Sequence, residues 1–335
     1  MTMPALTNCL TFRQHDADHK SKIAGLHKVP NGSFFLRVVT HGPEPGETMK
    51  TNEQPRPLYL LALLGQGIQG SLSPQLYEQE ARRQGLRCAY QLLDFTQRDW
   101  ADERLPEVLD SLALLGFTGC NITHPFKQQV IPWLDELSPQ ASAIGAVNTV
   151  LFRNGKRIGH NTDCDGFITH FSQGLSGENI NRVVQVGAGG AGYAVAYGLL
   201  AHGVGHLMLH DRDPARSRSL QQQLARHFGE QRIGVTEDVA GALADSDGLV
   251  QATPIGMTGH PGMPVDIDWL QPRHWLADVI YVPRETELVK KARAKGCRAI
   301  VGDGMVVNQA ALAFQLYTGH APDTASMSQV FRQAG

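Results

Sequence analysis

Apolar positions follow a repeating order along most of the chain. Short, wholly apolar runs alternate with stretches whose apolar residues lie three and four apart, and glycines punctuate the joins. Leu58–Leu64 (LYLLALL) is such a run and ends at Gly65, as a strand buried on both faces requires. Pro74–Gln84 has helical spacing and stops at Gly85. Ala89–Phe95 predicts a second strand, Leu105–Leu115 a second helix closed by Gly116, and Gly119–Thr123 a third strand. Phe126–Leu134 and Gln140–Ile144 predict helices separated by Ser138-Pro139. Ala146–Arg153 and Lys156–His160 predict a hairpin turning at Asn154-Gly155, a pair that accepts the left-handed backbone of a tight turn. A second series follows, with strands at Val183–Val186, Leu207–His210, Gly248–Ala252, Trp275–Ile280 and Ala299–Val301. Its helices are Ala191–His202 and Pro214–Phe228, and a last apolar helix covers Gln309–Leu316.

Two such series predict an α/β chain of two domains, each with right-handed crossovers. The first is an N-terminal α/β domain over residues 57–160, completed by the final helix packing back on it from about 305–335. The second, residues 161–304, is a C-terminal Rossmann domain, a doubly wound parallel sheet. Residues 1–56 read differently. They are rich in polar residues and proline, with one apolar stretch at Ser33–Thr40 able to form a strand, and predict a poorly ordered extension.

The chain has 335 residues, with 30 Lys+Arg against 32 Asp+Glu and a formal charge of −2, which removes the basic excess of a dedicated nucleic-acid binder. No apolar run is long enough to span a membrane, and the N-terminus lacks the pattern of a secretory signal. The five cysteines are scattered, which suits reduced thiols in a cytoplasmic protein better than disulfides or zinc. The histidines show no ligand spacing, so no metal is expected.

The sharpest local signal is Gly187-Ala188-Gly189-Gly190-Ala191-Gly192, a G-x-G-x-x-G turn between a predicted strand and a predicted helix. Gly187 permits the turn, Gly189 lets backbone approach a pyrophosphate, and Gly192 allows close helix–strand packing. The next strand leads to Asp211, at the distance where a carboxylate accepts hydrogen bonds from a ribose. That carboxylate favours NAD and repels the 2′-phosphate of NADP. Arg212, Arg216 and Arg218 pull the other way, since a guanidinium can hold that phosphate.

Three polar clusters precede the glycine loop. Gly70-Ser71-Leu72-Ser73-Pro74 offers two hydroxyls at a helix start, for a carboxylate or simply for helix capping. Asn121-Ile122-Thr123-His124-Pro125-Phe126-Lys127 brings an amide, a hydroxyl and an ammonium to a strand end, where parallel sheets bind ligands. Asn148-Thr149 and Asn161-Thr162-Asp163 add more amides and hydroxyls. Together they suit a small polyhydroxylated substrate.

These pieces resemble the shikimate/quinate dehydrogenases, in that family's order from about Leu58 to Gly319. The resemblance also rests on Gly145-Ala146-Val147-Asn148-Thr149, Asn161-Thr162-Asp163-Cys164-Asp165-Gly166-Phe167, Ala252-Thr253-Pro254-Ile255-Gly256-Met257 and Tyr281-Val282-Pro283-Arg284-Glu285-Thr286. It implies that the first domain binds a small cyclic carboxylate bearing several hydroxyls, through Ser71, Ser73, Thr123, Asn148, Tyr281 and Gln309. It implies Lys127 and Asp163 as the catalytic pair. Thr253, Gly302 and Met305 would join the glycine loop, Asp211 and Arg212 around the dinucleotide. Asp211 departs from the NADP-type members and resembles the NAD-using branch. The implied reaction is oxidation of the C3 hydroxyl of shikimate, with quinate a further substrate. An untuned ammonium is a poor base at neutral pH, so alcohol oxidation should speed up as pH rises. The rivals are an NADP-dependent biosynthetic reductase, an aminoshikimate- or quinate-preferring enzyme, and a non-catalytic ligand sensor. Monomer and homodimer are equally compatible with the sequence.

Overall fold

The computed structural model describes residues 23–28, 34–38 and 57–334. The chain divides into two units, residues 1–54 and residues 55–335. In the first, β1 (Ile23–Lys28) and β2 (Phe34–Val38) pair as an antiparallel hairpin. The predicted strand at Ser33–Thr40 contains β2; its partner β1 was not predicted, because IAGLHK carries no clean alternation. The expectation of a poorly ordered extension otherwise concerns residues outside those described.

The second unit opens on a six-stranded mixed sheet. Its strands are β3 (Leu58–Gly65), β4 (Arg87–Asp94), β5 (Gly119–Ile122), β6 (Glu136–Leu137), β7 (Thr149–Arg153) and β8 (Lys156–His160), in spatial order β4-β3-β5-β7-β8-β6. β3 is parallel to both neighbours, whereas β7 runs antiparallel to β5 and turns into β8 through Asn154 and Gly155, both at positive φ. Side chains alternate across β3, so Leu61 and Leu63 enter one core while Ala62 and Leu64 enter another. The Ala62 face is covered by α2 (Leu105–Leu114), α3 (Phe126–Gln129) and α4 (Pro139–Ile144). The Leu61 face is covered by α1 (Ser73–Arg83) and, from the end of the chain, α10 (Asp303–Thr318) and α11 (Thr324–Ala334).

The last predicted helix therefore packs back on the first sheet as expected, but as α10 it begins at Asp303, six residues before the predicted Gln309, and α11, which was not predicted, follows it. The first turns of α10 carry polar residues that mask the apolar periodicity. The predicted helix over Phe126–Leu134 is shorter: α3 stops at Gln129 and a single 3-10 turn, Ile131–Trp133, follows. Pro132 has no N–H to continue an α-helix.

The second sheet is wholly parallel. Its strands are β9 (Arg182–Val186), β10 (His206–His210), β11 (Ile233–Val235), β12 (Gly248–Gln251), β13 (Trp275–Asp278) and β14 (Arg298–Ile300), in order β11-β10-β9-β12-β13-β14. Helices α5 (Asp163–Gly174), α6 (Gly190–His202) and α7 (Pro214–Phe228) share a core on one face, and α8 (Val239–Ala244) and α9 (Glu287–Ala294) on the other. Strand order reverses between β9 and β12, which opens a crevice beyond their C-terminal ends. α5 was not predicted as a helix. Its buried Cys164, Phe167 and Phe171 have helical spacing, but Asp163, Asp165 and Gly166 in the first turn read as a loop.

Asp278 ends β13 almost fully buried. Its Oδ1 accepts the Ile280 N–H at 3.0 Å and its Oδ2 the Thr286 hydroxyl at 2.7 Å, so it ties down the loop carrying Tyr281. Burial pushes its carboxyl up from the ordinary 3.8 to about 6. Between those pH values the folded chain holds a proton that the unfolded chain releases, so stability falls as pH rises from about 4 to about 6. Two pKa units correspond to about 3 kcal/mol. Asp278→Asn keeps an acceptor for the Ile280 N–H but cannot titrate, and its amide nitrogen obliges the Thr286 hydroxyl to accept instead of donate. Urea unfolding across pH 4–7 should show the variant gaining on the wild type by up to about 3 kcal/mol, most of it by pH 6. A constant difference across that range would contradict this account.

Candidate active site

Lys127 lies in the short α3, just past the end of β5, and Asp163 opens α5. Their side chains meet with Nζ 2.5 Å from Oδ2, and both are largely buried, 15% and 8% exposed. A carboxylate in the first turn of a helix is favoured by the helix dipole and the free N–H groups there. Asn148, immediately before β7, donates from Nδ2 to Asp163 Oδ1 and to Thr162 Oγ1, both at 2.9 Å. Its Oδ1 accepts the Thr162 backbone N–H at 2.8 Å. Gln309, on α10, brings its Oε1 within 3.4 Å of both Asn148 Nδ2 and Thr162 Oγ1. Five residues from four separate stretches of the chain thus form one polar cluster.

Ser71 and Ser73 sit at the start of α1 with hydroxyls 3.1 Å apart. Ser73 is not the helix cap that the sequence also allowed: Leu72 occupies that position, and Ser71 Oγ accepts the Ser73 N–H at 3.3 Å. Thr123 closes β5, half-buried, its methyl so near Gly65 that a Cβ there would lie 2.4 Å away. The Tyr281 ring packs on Phe331 with centroids 5.9 Å apart. Burial raises the Tyr281 hydroxyl above the usual tyrosine value, and the Asp163 carboxylate adds to the rise.

The glycine loop leaves β9 opposite this cluster. Gly187 has φ +101°, and a Cβ there would lie 2.5 Å from the Ala252 carbonyl oxygen. A Cβ on Gly192 would lie 2.4 Å from the Gly187 carbonyl oxygen, so loop and helix touch. Gly189 has open space around its Cβ position, and Gly190 faces Lys127, whose side chain would lie 3.2 Å from a Cβ there. The loop therefore presents bare backbone and the N-terminus of α6 to the crevice, the cradle that a pyrophosphate needs. Ala188 N donates to Asp211 Oδ2 at 2.7 Å, and Asp211 Oδ1 accepts the Asp213 N–H at 2.9 Å. Arg212 is exposed beside it. Ala191 lies in the first turn of α6. Thr253 follows β12, its hydroxyl accepting the Ile255 N–H at 3.1 Å. Gly302 abuts the Val279 carbonyl so closely that a Cβ would lie 2.1 Å from it. Met305 is buried in the hydrophobic cluster that also contains Ala188.

The sequence reading missed the residues that hold these loops. Gln185, fully buried in β9, donates from Nε2 to the carbonyls of Gly187 and Gly192, each at 2.9 Å. Gln251, at the end of β12, donates to the Thr253 and Ile255 carbonyls and accepts the Thr253 N–H. A buried amide needs such partners, and a lone Gln inside an apolar strand is the signal that could have found both. Gly166 stands in α5, three residues after Asp163. A Cβ there would lie 2.7 Å from the Gln309 backbone nitrogen, so this glycine lets α10 come close enough to bring Gln309 to the cluster. Among the described residues, no group of three His, Cys, Asp or Glu is placed to hold a metal, and no helix is long and apolar enough to cross a membrane.

Residues 63–150 match the family model for the shikimate dehydrogenase substrate binding domain, and residues 302–330 that for the shikimate 5′-dehydrogenase C-terminal domain. The chain is 49% identical to a shikimate dehydrogenase (NADP(+)) of Streptomyces avermitilis, over 80% of this chain and 93% of that one. It is 46% identical to a quinate/shikimate dehydrogenase (NAD(+)) of Corynebacterium efficiens, over 81% and 97%. Among solved structures, quinate dehydrogenase from Corynebacterium glutamicum in complex with NAD superposes with a TM-score of 0.77 at 43% identity, over 82% of this chain and 99% of that one. The chain belongs to the shikimate/quinate dehydrogenase family, NAD(P)-dependent oxidoreductases acting on CH–OH groups.

Proposed function

We propose that the protein catalyses the reversible oxidation of the C3 ring hydroxyl of shikimate to the 3-dehydro ketone with NAD, and accepts quinate as well. The observation that carries this reading is the Lys127–Asp163 pair, 2.5 Å apart and facing the glycine loop. A bound nicotinamide supplies the hydride acceptor. Lys127 takes the hydroxyl proton during oxidation and returns it during reduction, while Asp163 holds the ammonium in line and accepts a hydrogen bond from the substrate. Ser71 and Ser73 bind the carboxylate. Thr123, Asn148, Tyr281 and Gln309 bind the ring and its hydroxyls, which fixes the reacting carbon against the base. Residues 57–160 with 305–335 carry this pocket, and residues 161–304 the dinucleotide.

NAD rather than NADP follows from Asp211, whose carboxylate ends β10 beside the glycine loop and would repel a 2′-phosphate. The name of the Streptomyces relative supports NADP instead. An absorbance assay with both dinucleotides against shikimate, quinate and their amino analogues decides. Turnover of shikimate or quinate with kcat/KM at least about tenfold higher for NAD is expected, a difference of about 1.4 kcal/mol. No turnover on any of them would refute the activity, and a preference for NADP would refute the cofactor assignment. We further propose a cytoplasmic enzyme acting without nucleic acid or membrane partners.

A further inference from the structure

Beneath the polar cluster runs a line of buried hydrogen bonds whose direction is fixed. Asn121, on β5, donates from Nδ2 to the Asn148 carbonyl at 3.2 Å and to Thr149 Oγ1 at 3.1 Å. A carbonyl only accepts, so the amide cannot be turned over, and its Oδ1 must face the Tyr90 hydroxyl, 2.8 Å away. Tyr90 is therefore the donor. Thr149, having accepted from Asn121, passes its single proton to Asn148 Oδ1 at 3.0 Å. The same Oδ1 accepts the Thr162 backbone N–H, which only donates, so the Asn148 amide is fixed as well. Its Nδ2 is left pointing at Asp163 Oδ1, at 2.9 Å. Every bond from Tyr90 to Asp163 points the same way.

The line starts at Tyr90. Burial holds the Tyr90 hydroxyl well above the usual tyrosine value, so it keeps its proton. We propose that Tyr90 is a positioning residue, the head of a one-way hydrogen-bond line under the pocket that runs to Asp163 and polarises the Asn148 amide that donates to it. This deepens the reading of the site given above and rests on it. Such a line lets each donor polarise the next, so the Tyr90 hydroxyl bears on the carboxylate that orients Lys127.

Tyr90→Phe removes the head donor without changing shape. The unpartnered Tyr77 hydroxyl is close by, its ring centroid 4.8 Å from that of Tyr90, and can take its place, so a second break is needed downstream. Thr149→Val supplies it, and Thr149→Ser keeps the hydroxyl. With shikimate or quinate as substrate, Thr149→Val should lower kcat about 3- to 10-fold, the worth of one buried hydrogen bond, with the KM for dinucleotide unchanged. Thr149→Ser should recover most of that loss, and Tyr90→Phe should fall between. Side-chain amide spectra of 15N-labelled protein need no turnover. The Asn148 amide resonances should move in Tyr90→Phe and Thr149→Val, and remain near the wild-type positions in Thr149→Ser. Unmoved resonances, or equal rates in Thr149→Val and Thr149→Ser, overturn the proposal. Wild-type protein that turns over no substrate while the resonances move as expected refutes the parent reading and leaves the hydrogen-bond line standing.

Discussion

Lys127→Ala is expected to lower kcat for shikimate oxidation by about 10²–10⁴-fold, the usual worth of a positioned general base. Dinucleotide affinity, read by fluorescence titration of NADH, should change little, because the part of Lys127 nearest the glycine loop is its aliphatic stem at Gly190. The substitution also leaves Asp163 mostly buried without its cation. The remaining donor from a side chain is Asn148 Nδ2, so stability should fall too, and breaking buried pairs costs about 3–5 kcal/mol at the upper end. Thermal unfolding of the variant separates the two losses. A folded variant that keeps more than about a tenth of the wild-type kcat, with hydride transfer rate-limiting, would remove Lys127 as the base.

The second large effect concerns the cofactor. Asp211→Asn removes a charge but keeps an acceptor for the Ala188 N–H, whereas Asp211→Ala removes both. A unit charge about 5 Å from a phosphate, at an effective dielectric near 20, is worth roughly 3 kcal/mol, or about a hundredfold. Asp211→Asn should therefore raise kcat/KM with NADP by about 10- to 100-fold while kcat barely changes, and Arg212 and Arg216 are exposed nearby to receive the phosphate. Use of NAD should fall only several-fold in Asp211→Asn and further in Asp211→Ala, where the loop loses its anchor. If the NAD to NADP ratio stays fixed in both variants, selectivity lies elsewhere.

Much of the second sheet was legible because a parallel strand buried on both faces must be apolar throughout. Val183–Val186 and Leu207–His210 agree with β9 and β10 to within a residue at each end. The glycine loop was legible for a related reason: Gly187 needs a backbone conformation that other residues rarely adopt. Elements with mixed composition were not. α5 hides behind Asp163, Asp165 and Gly166, residues that suit the head of a helix and a site more than a helix interior. β6 is two residues long and forms only because β8 is there to pair with it.

For the site, the sequence determined which chemical groups are available: an ammonium, a carboxylate, paired serines, amides, and a glycine turn followed by an acid. It determined the glycine turn's geometry as well, because that depends on neighbouring residues and on φ alone. Only the tertiary structure decided that Lys127, Asn148, Asp163 and Gln309 meet, since they span 183 positions of chain. Their meeting depends on close approaches at Gly166 and Gly190 and on α10 returning across the first sheet. It also decided the direction of each hydrogen bond among them. An amide reads the same in sequence whichever way it turns, and here two backbone groups, the Asn148 carbonyl and the Thr162 N–H, fix the turn.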